Sequence, residues 1–447
     1  MLINKEIRQA SYIIKISDQC NLGCPYCYYY KDRNRLNNKI IDLNILSAFL
    51  KNASEINKQI EIIWHGGEPL AAGLDMFKHI TEIQKNIFNT SGAVFRNLIQ
   101  TNATLMSQEW ADFFAQENFA VGISLDGPKL IHDQNRPNLG GKGTFEQTLR
   151  GLRTLQNTKI PVSVLAVVTK KSLLQAQDIY NFFVSNLNLT RFDFLPMAEV
   201  IEFDTVGDGQ KSISFMPGSL EKNDFFNFIK EVFDIWWVDP TPNISIRYLD
   251  NVLLGLLGYR PTACTFNGSC GEYTTLDVDG NLLPCDNFIG YSDLVFGNIS
   301  KEGLSNLLKS NKRNGYIRQV SHLNSICRQC KYLKACGGGC RKYNYFLNHN
   351  FDDQNYFCGD RWNIFDYVEQ KIAHEQSNIN KLITNFFDNN GLASQEEFPG
   401  SKVLRRLLSS HHHHEMQNSG LNNTWQDWDR GGGWDKSWDK GGWDKGW

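Results

Sequence analysis

Cys20-Asn-Leu-Gly-Cys24-Pro-Tyr-Cys27 follows the short apolar run 12–16, and how its three thiols are read decides the rest of the chain. Thiolates at this spacing, in a loop leaving a predicted strand, can hold three irons of a cubane cluster and leave the fourth iron open to a small molecule. The competing readings are a zinc site or three buried structural cysteines. Zinc ordinarily takes four ligands in pairs, and this loop contains no fourth Cys or His, although His65 could supply one.

A second apolar run, 60–64, leads into Trp64-His65-Gly66-Gly67-Glu68-Pro69. Paired glycines let backbone come close to a ligand, and Glu68 or neighbouring carbonyls can accept hydrogen bonds from an ammonium group. The CxxxCxxC loop with Tyr26, followed by GGEP at the end of the next strand, resembles the radical S-adenosylmethionine (SAM) superfamily. That resemblance implies a [4Fe–4S] cluster on Cys20, Cys24 and Cys27 whose free iron chelates SAM. It also implies contact between the SAM amino group and Gly66-Gly67-Glu68-Pro69, and reductive cleavage of SAM to a 5′-deoxyadenosyl radical.

From residue 10 to about 200, β-branched runs at 12–16, 60–64, 95–100, 119–124, 162–168 and 191–195 alternate with helical patterns at 43–54, 74–89, 107–117, 144–156 and 172–186. Repeated βα units predict a parallel sheet. The resemblance makes it a partial (β/α)6 barrel of the TIM type, with chemistry at the C-terminal mouth of the strands. Cys20, His65, Gln100-Thr-Asn102 and Ser124-Leu-Asp126-Gly127 would emerge there. Ser124 is expected to bond the ribose or carboxylate of SAM, and Arg136 to pair with its carboxylate; each alone reads more readily as a cap or a solvated side chain, and it is the set that favours function. The stretch from Ser124 to Asn135-Arg-Pro137 also resembles peptide-modifying members of the superfamily.

The chain of 447 residues contains eleven cysteines and carries a net charge of only −2. No basic block suggests nucleic acid and no apolar stretch reaches membrane-spanning length, so small or peptide-like partners in a reducing cytoplasm are expected. Three cysteines lie near the N-terminus and eight between Cys264 and Cys358, a distribution more natural for metal ligands than for cytosolic disulfides. CxxC pairs alone suit zinc as well as iron. The full pattern, with Cys327-x2-Cys330-x5-Cys336-Gly-Gly-Gly-Cys340 and the turn at Asp277-Val-Asp-Gly280 before Cys285, resembles the SPASM extension with its two auxiliary [4Fe–4S] clusters. Carried over by position, Cys264, Cys270, Cys285 and Cys340 would hold one, and Cys327, Cys330, Cys336 and Cys358 the other, making three clusters in all. A reductant such as flavodoxin or ferredoxin is then implied. Asp286, directly after a ligand cysteine, matches an aspartate that is the candidate base in the sulfatase-maturating branch; a carboxylate near a cluster and shielded from water could have a pKa suited to taking a proton. Its bland reading is a turn cap.

These patterns divide the chain into a barrel (1–215), a helical connector (216–260, with its helix over 220–235 and Trp236-Trp237 as core), a SPASM domain (261–365), a helix and linker (366–418, helical to about 387) and a tail (419–447). The tail holds six of the eleven tryptophans, set among glycines and charges, and cannot form a core of its own. His411–His414 just before it is a tag-like or weakly metal-binding tract. Four units recur: Trp428-Asp-Arg430, Trp434-Asp-Lys436, Trp438-Asp-Lys440 and Trp443-Asp-Lys445. They resemble the core peptides of cyclophane-forming radical SAM/SPASM maturases, which join an aromatic ring to the Cβ two residues on. The peptide substrate would be this tail or a similar separate precursor. Two other outcomes stay open: a sulfatase-type maturase oxidising Cys or Ser to formylglycine, and a metal-cluster scaffold with an interaction tail.

Overall fold

The computed structural model describes residues 10–30, 38–158, 160–204, 211–241 and 243–374. The Trp-x-x units, the His tract and the predicted helical stretch beyond 374 lie outside these residues.

Six parallel strands, β1 (Ala10–Ser17), β2 (Gln59–Gly66), β3 (Val94–Thr101), β4 (Ala120–Ser124), β5 (Val162–Val168) and β6 (Arg191–Pro196), pair in chain order. Helices α1 (Leu43–Ile56), α2 (Leu74–Ser91), α3 (Gln108–Gln116), α4 (Lys129–Asn135), α5 (Phe145–Gln156) and α6 (Ala176–Asn181) cross between them. This is a mixed α/β fold, a parallel sheet with crossing helices followed by a cysteine-rich region. Periodicity located the long helices because each has one apolar face. In α1, Leu46, Phe49, Leu50 and Ala53 are buried, and Asp42 caps the first turn by accepting from Asn44 N and Ile45 N. The predicted helix over 172–186 is broken up: α6 covers only its middle and passes into a wider turn over Phe182–Asn186. The short α4 between Pro128 and Arg136 carries no periodic signal long enough to read.

The connector is not purely helical. After the hairpin β7 (Val200–Asp204) and β8 (Lys211–Phe215), helix α7 (Asp224–Val238) is followed by a two-residue strand, β9 (Ser245–Ile246), and then by α8 (Arg247–Leu256). β9 pairs in parallel with β6 and so extends the sheet. Trp236 and Trp237 are core, with 2% and 0% exposed.

The cysteine-rich region is joined to the barrel through the same sheet. β10 (Tyr273–Leu276) runs parallel to β1 along its free edge, and β11 (Asn281–Leu283) and β12 (Gly297–Asn298) add antiparallel strands beyond it. The chain leaving β11 runs back along β1, and Asp286, three residues past β11, comes within 3.5 Å of the Lys15 ammonium of that strand. No described helix is long and apolar enough to cross a membrane.

Candidate active site

The loop after β1 is held by close backbone packing. Gly67 N donates to Ser17 O at 2.7 Å and Glu68 N to Gln19 O at 2.6 Å. A Cβ on Gly67 would stand 2.3 Å from Gln19 O. The glycine pair was expected to admit a ligand; here it admits the chain leading into Cys20. Gly67→Ala should therefore cost about 1–3 kcal/mol by overpacking and lower the iron retained after anaerobic reconstitution, measured against wild type.

Glu68 also differs from expectation. Its carboxylate is buried and already accepts from Leu70 N, Thr101 Oγ1 and Asn102 N at 3.0, 2.6 and 2.7 Å. Burial raises its pKa to about 7 against the pull of those bonds. It braces β2 against β3.

Arg136, expected on the SAM carboxylate, spends its charge inside the protein. Its Nη2 lies 2.9 Å from Asp126 Oδ1 and its guanidinium stands over the Tyr26 ring at 5.5 Å. The buried Asp126 also accepts from Tyr26 Oη at 2.7 Å and Val167 N at 2.9 Å, tying the cysteine loop to β5. Ser124, at the end of β4, accepts from Gln100 Nε2 at 2.9 Å and lines the cavity.

His132, on α4 beside this hub, is fully buried between Thr144 and Thr148, and burial lowers its pKa from 6.5 to about 4. A histidine depressed in the folded state contributes stability that is intact above its unfolded pKa and is lost as pH falls below it. The chain should thus lose about 2 kcal/mol between pH 6.5 and 5 from this group. His132→Gln should flatten that slope in urea unfolding.

Lys15, within the apolar strand β1, was not singled out by sequence. It is completely buried, with Nζ 3.1 Å from Tyr28 Oη, 3.2 Å from His65 Nδ1 and 3.5 Å from Asp286 Oδ2. Tyr28 Oη donates to the same carboxylate oxygen at 2.6 Å. Burial pushes the Asp286 pKa upward, but Lys15, His65 and Tyr28 outweigh it and hold the carboxylate well below its usual range. The expected base is therefore a fixed anion. His65 falls to about 4 through burial and Lys15, and its Nδ1 faces Lys15 and Gly66 N.

The eleven free cysteines gather into three groups. Cys24 interacts electrostatically with Cys27 and Cys20. Cys264 does so with Cys340 and Cys270, and Cys285 with Cys264 and Cys270. Cys327 interacts with Cys358, Cys336 and Cys330. Burial pushes Cys24 and Cys264 up to about 12, so thiolates here need a cationic centre to exist, as cluster irons provide. Polar groups already point at the sulfurs: Arg361 Nε lies 3.1 Å from Cys336 Sγ and Tyr316 Oη 3.2 Å from Cys270 Sγ. Three successive glycines with positive φ, Gly337, Gly338 and Gly339, let the chain turn tightly between Cys336 and Cys340. These sets fit iron–sulfur clusters.

The first two groups meet across one cavity of about 440 Å³, whose lining includes Cys20, Gly66, Ser124, Cys264, Asp286 and Cys340. Lys15 interacts with both Cys27 and Cys285.

Residues 14–183 match the Radical SAM superfamily and 264–331 an iron–sulfur cluster-binding domain, SPASM. The cysteine-type anaerobic sulfatase-maturating enzyme of Clostridium perfringens is 30% identical over 81% of this chain and 97% of its own length. The serine-type enzyme of Bacteroides thetaiotaomicron is 29% identical over 81% of this chain and 91% of its own. The structure of native anSMEcpe with bound AdoMet and Cp18Cys peptide matches with a TM-score of 0.73 at 29% identity, covering 83% of this chain and 99% of that chain.

Proposed function

Because the chain belongs to the radical SAM/SPASM maturases, we propose that it joins tryptophan to the Cβ of the Lys or Arg two places on, in its own tail or in a similar separate peptide. The observation carrying this reading is the fourfold Trp-Asp-Lys/Arg repeat from Trp428 to Lys445, which a sulfatase maturase has no use for. Tethering raises the effective concentration of the units at the cavity, provided the linker can reach.

When bound, three [4Fe–4S] clusters and SAM would supply a 5′-deoxyadenosyl radical and an acceptor for one returned electron. Cys20, Cys24 and Cys27 would hold the SAM-binding cluster. Cys264, Cys270, Cys285 and Cys340 would hold one auxiliary cluster, and Cys327, Cys330, Cys336 and Cys358 the other. Tyr26, the carbonyls of Gly66 to Pro69 and Ser124 would seat SAM.

Each link would begin with transfer of a hydrogen atom from the Lys or Arg Cβ to the radical that bound SAM would supply. The Cβ radical bonds to an indole carbon, and that carbon's hydrogen departs as a proton with one electron, restoring aromaticity. Asp286 is the proposed proton acceptor: held ionised by Lys15 and Tyr28 it is a weak base, which suffices because the hydrogen on the cationic ring adduct is strongly acidic. Its Oδ2 is occupied by Tyr28 and Lys15, whereas Oδ1 is met by Cys285 Sγ at 3.3 Å. A ligand thiolate has no proton to donate, so Oδ1 is the atom left to receive one.

Oxidation of Cys or Ser to formylglycine is the second reading, favoured by the near full-length similarity to sulfatase-maturating enzymes. It too begins with loss of a Cβ hydrogen. Tandem mass spectrometry separates the two. Under reducing, oxygen-free conditions with SAM, residues 415–447 should lose two hydrogens per link and resist fragmentation inside each linked unit. An unchanged tail, with a supplied cysteine peptide converted to aldehyde, would favour formylglycine.

A further inference from the structure

Resting on the cross-linking reading, we infer that Arg247 reads the middle position of each Trp-x-x unit by taking the carboxylate of its aspartate. All four units carry Asp there: Asp429, Asp435, Asp439 and Asp444. A cavity that accepts them in turn must satisfy that carboxylate, because an ionised acid taken from water without a partner is costly.

Four Arg or Lys side chains line the cavity, namely Arg136, Arg247, Lys342 and Arg361. Three are committed. Arg136 is paired with Asp126 and Lys342 with Glu199. Arg361 donates to Cys336 Sγ and to the carbonyls of Thr265 and Cys336. Each of the three is less than a tenth exposed.

Arg247 is different. Its side chain is 38% exposed, and only its Nε is engaged, at 2.7 Å from Asp193 Oδ2. Among the described residues its two terminal nitrogens have no hydrogen-bond partner. Asp193 is itself pinned, since its Oδ1 accepts from Phe194 N and Tyr248 N at 2.9 Å each. The guanidinium is thus anchored at one nitrogen on a fixed carboxylate, with its outer pair available for a second one, the geometry in which arginine is most selective. Arg247 also begins α8 right after β9 and lies close enough to Cys264 to interact electrostatically with it. That places it between the barrel edge and the first auxiliary cysteine set, with its anchor Asp193 level with Ser124 two strands away, through the register Ser124–Leu165–Asp193 across β4, β5 and β6.

The test uses the full chain with its clusters loaded, SAM and dithionite, and reads all four units in the same molecules. In Asp435→Asn, the initial rate of linking at Trp434 should fall about tenfold to a hundredfold, while Trp428, Trp438 and Trp443 keep their rates. This change lies in the tail and leaves the fold untouched. In Arg247→Gln all four units should slow, and the gap between the Asn and Asp units should close, because groups in contact are non-additive. Arg247→Lys, which keeps charge without the fork, should retain part of the gap. Binding of labelled SAM by equilibrium dialysis should be unchanged in Arg247→Gln. If SAM binding is lost there, and Asn and Asp units react alike in the otherwise wild-type chain, the guanidinium serves the SAM carboxylate and the inference is wrong. Links at every unit, with Trp434 keeping pace in Asp435→Asn, would overturn the role of Arg247 and leave cross-linking standing. No link in the wild-type chain would overturn both.

Discussion

Lys15→Met is expected to destabilise the chain by about 3–5 kcal/mol, the cost of leaving one member of a buried ion pair uncompensated. Lys15 is fully buried and its partner Asp286 is 15% exposed, so water replaces the lost ammonium only in part. The loss also reaches chemistry. Asp286 keeps its orientation through Lys15 and Tyr28, two donors on one oxygen, and one of them disappears. Link formation should fall at least tenfold, in line with the contribution of a positioned acid or base. Urea unfolding under anaerobic conditions measures the first effect and tail mass spectrometry the second. Lys15→Met combined with Asp286→Leu should recover much of the stability and none of the activity, since no charge is then stranded. A single variant within about 1 kcal/mol of wild type would mean that the ion pair is not what holds this corner.

Asp126→Ala should have a comparable effect by a different route. Asp126 is completely buried and holds Arg136, Tyr26 Oη and Val167 N together. Its removal strands the Arg136 guanidinium, again about 3–5 kcal/mol, and frees Tyr26, which sits between two cluster cysteines. Iron content should drop along with stability. Asp126→Asn keeps an acceptor for Tyr26 or Val167 but not the charge, so it should fall between wild type and alanine in both readouts. Equal behaviour of Asn and Ala would show that the counter-charge matters and the hydrogen bonds do not.

What sequence made legible follows from what chemistry demands. Cysteine is the residue that cluster ligation requires, so the spacing around Cys20 and Cys327 carried its meaning without coordinates. The parallel sheet was legible because each strand from β1 to β6 is a short apolar run between amphipathic helices. Side-chain partners were not. Asp126 and Arg136 were both visible at the mouth, yet nothing in a linear pattern says that they face one another and not SAM. Lys15 and Asp286 stand 271 positions apart and meet only because β10 adds to the free edge of β1. The available signal was a lone lysine inside the otherwise apolar run 12–16, a residue that is almost never fully buried unless paired. Gly67 was noticed, but its purpose depends on the carbonyl of Gln19, which only the folded loop brings near. Arg247 opens a helix after a strand too short to read from periodicity.

The central claim is that a hydrogen atom leaves the Cβ of the Lys or Arg closing each Trp-x-x unit. It is tested most directly by producing the chain with lysine and arginine deuterated at Cβ and running one reductive turnover with SAM. Formation of 5′-deoxyadenosine carrying one deuterium, matched by loss of one deuterium at Lys436 or its counterparts, is the predicted result. Links that form while the 5′-deoxyadenosine stays light, or labelled residues that keep all their deuterium, would contradict it.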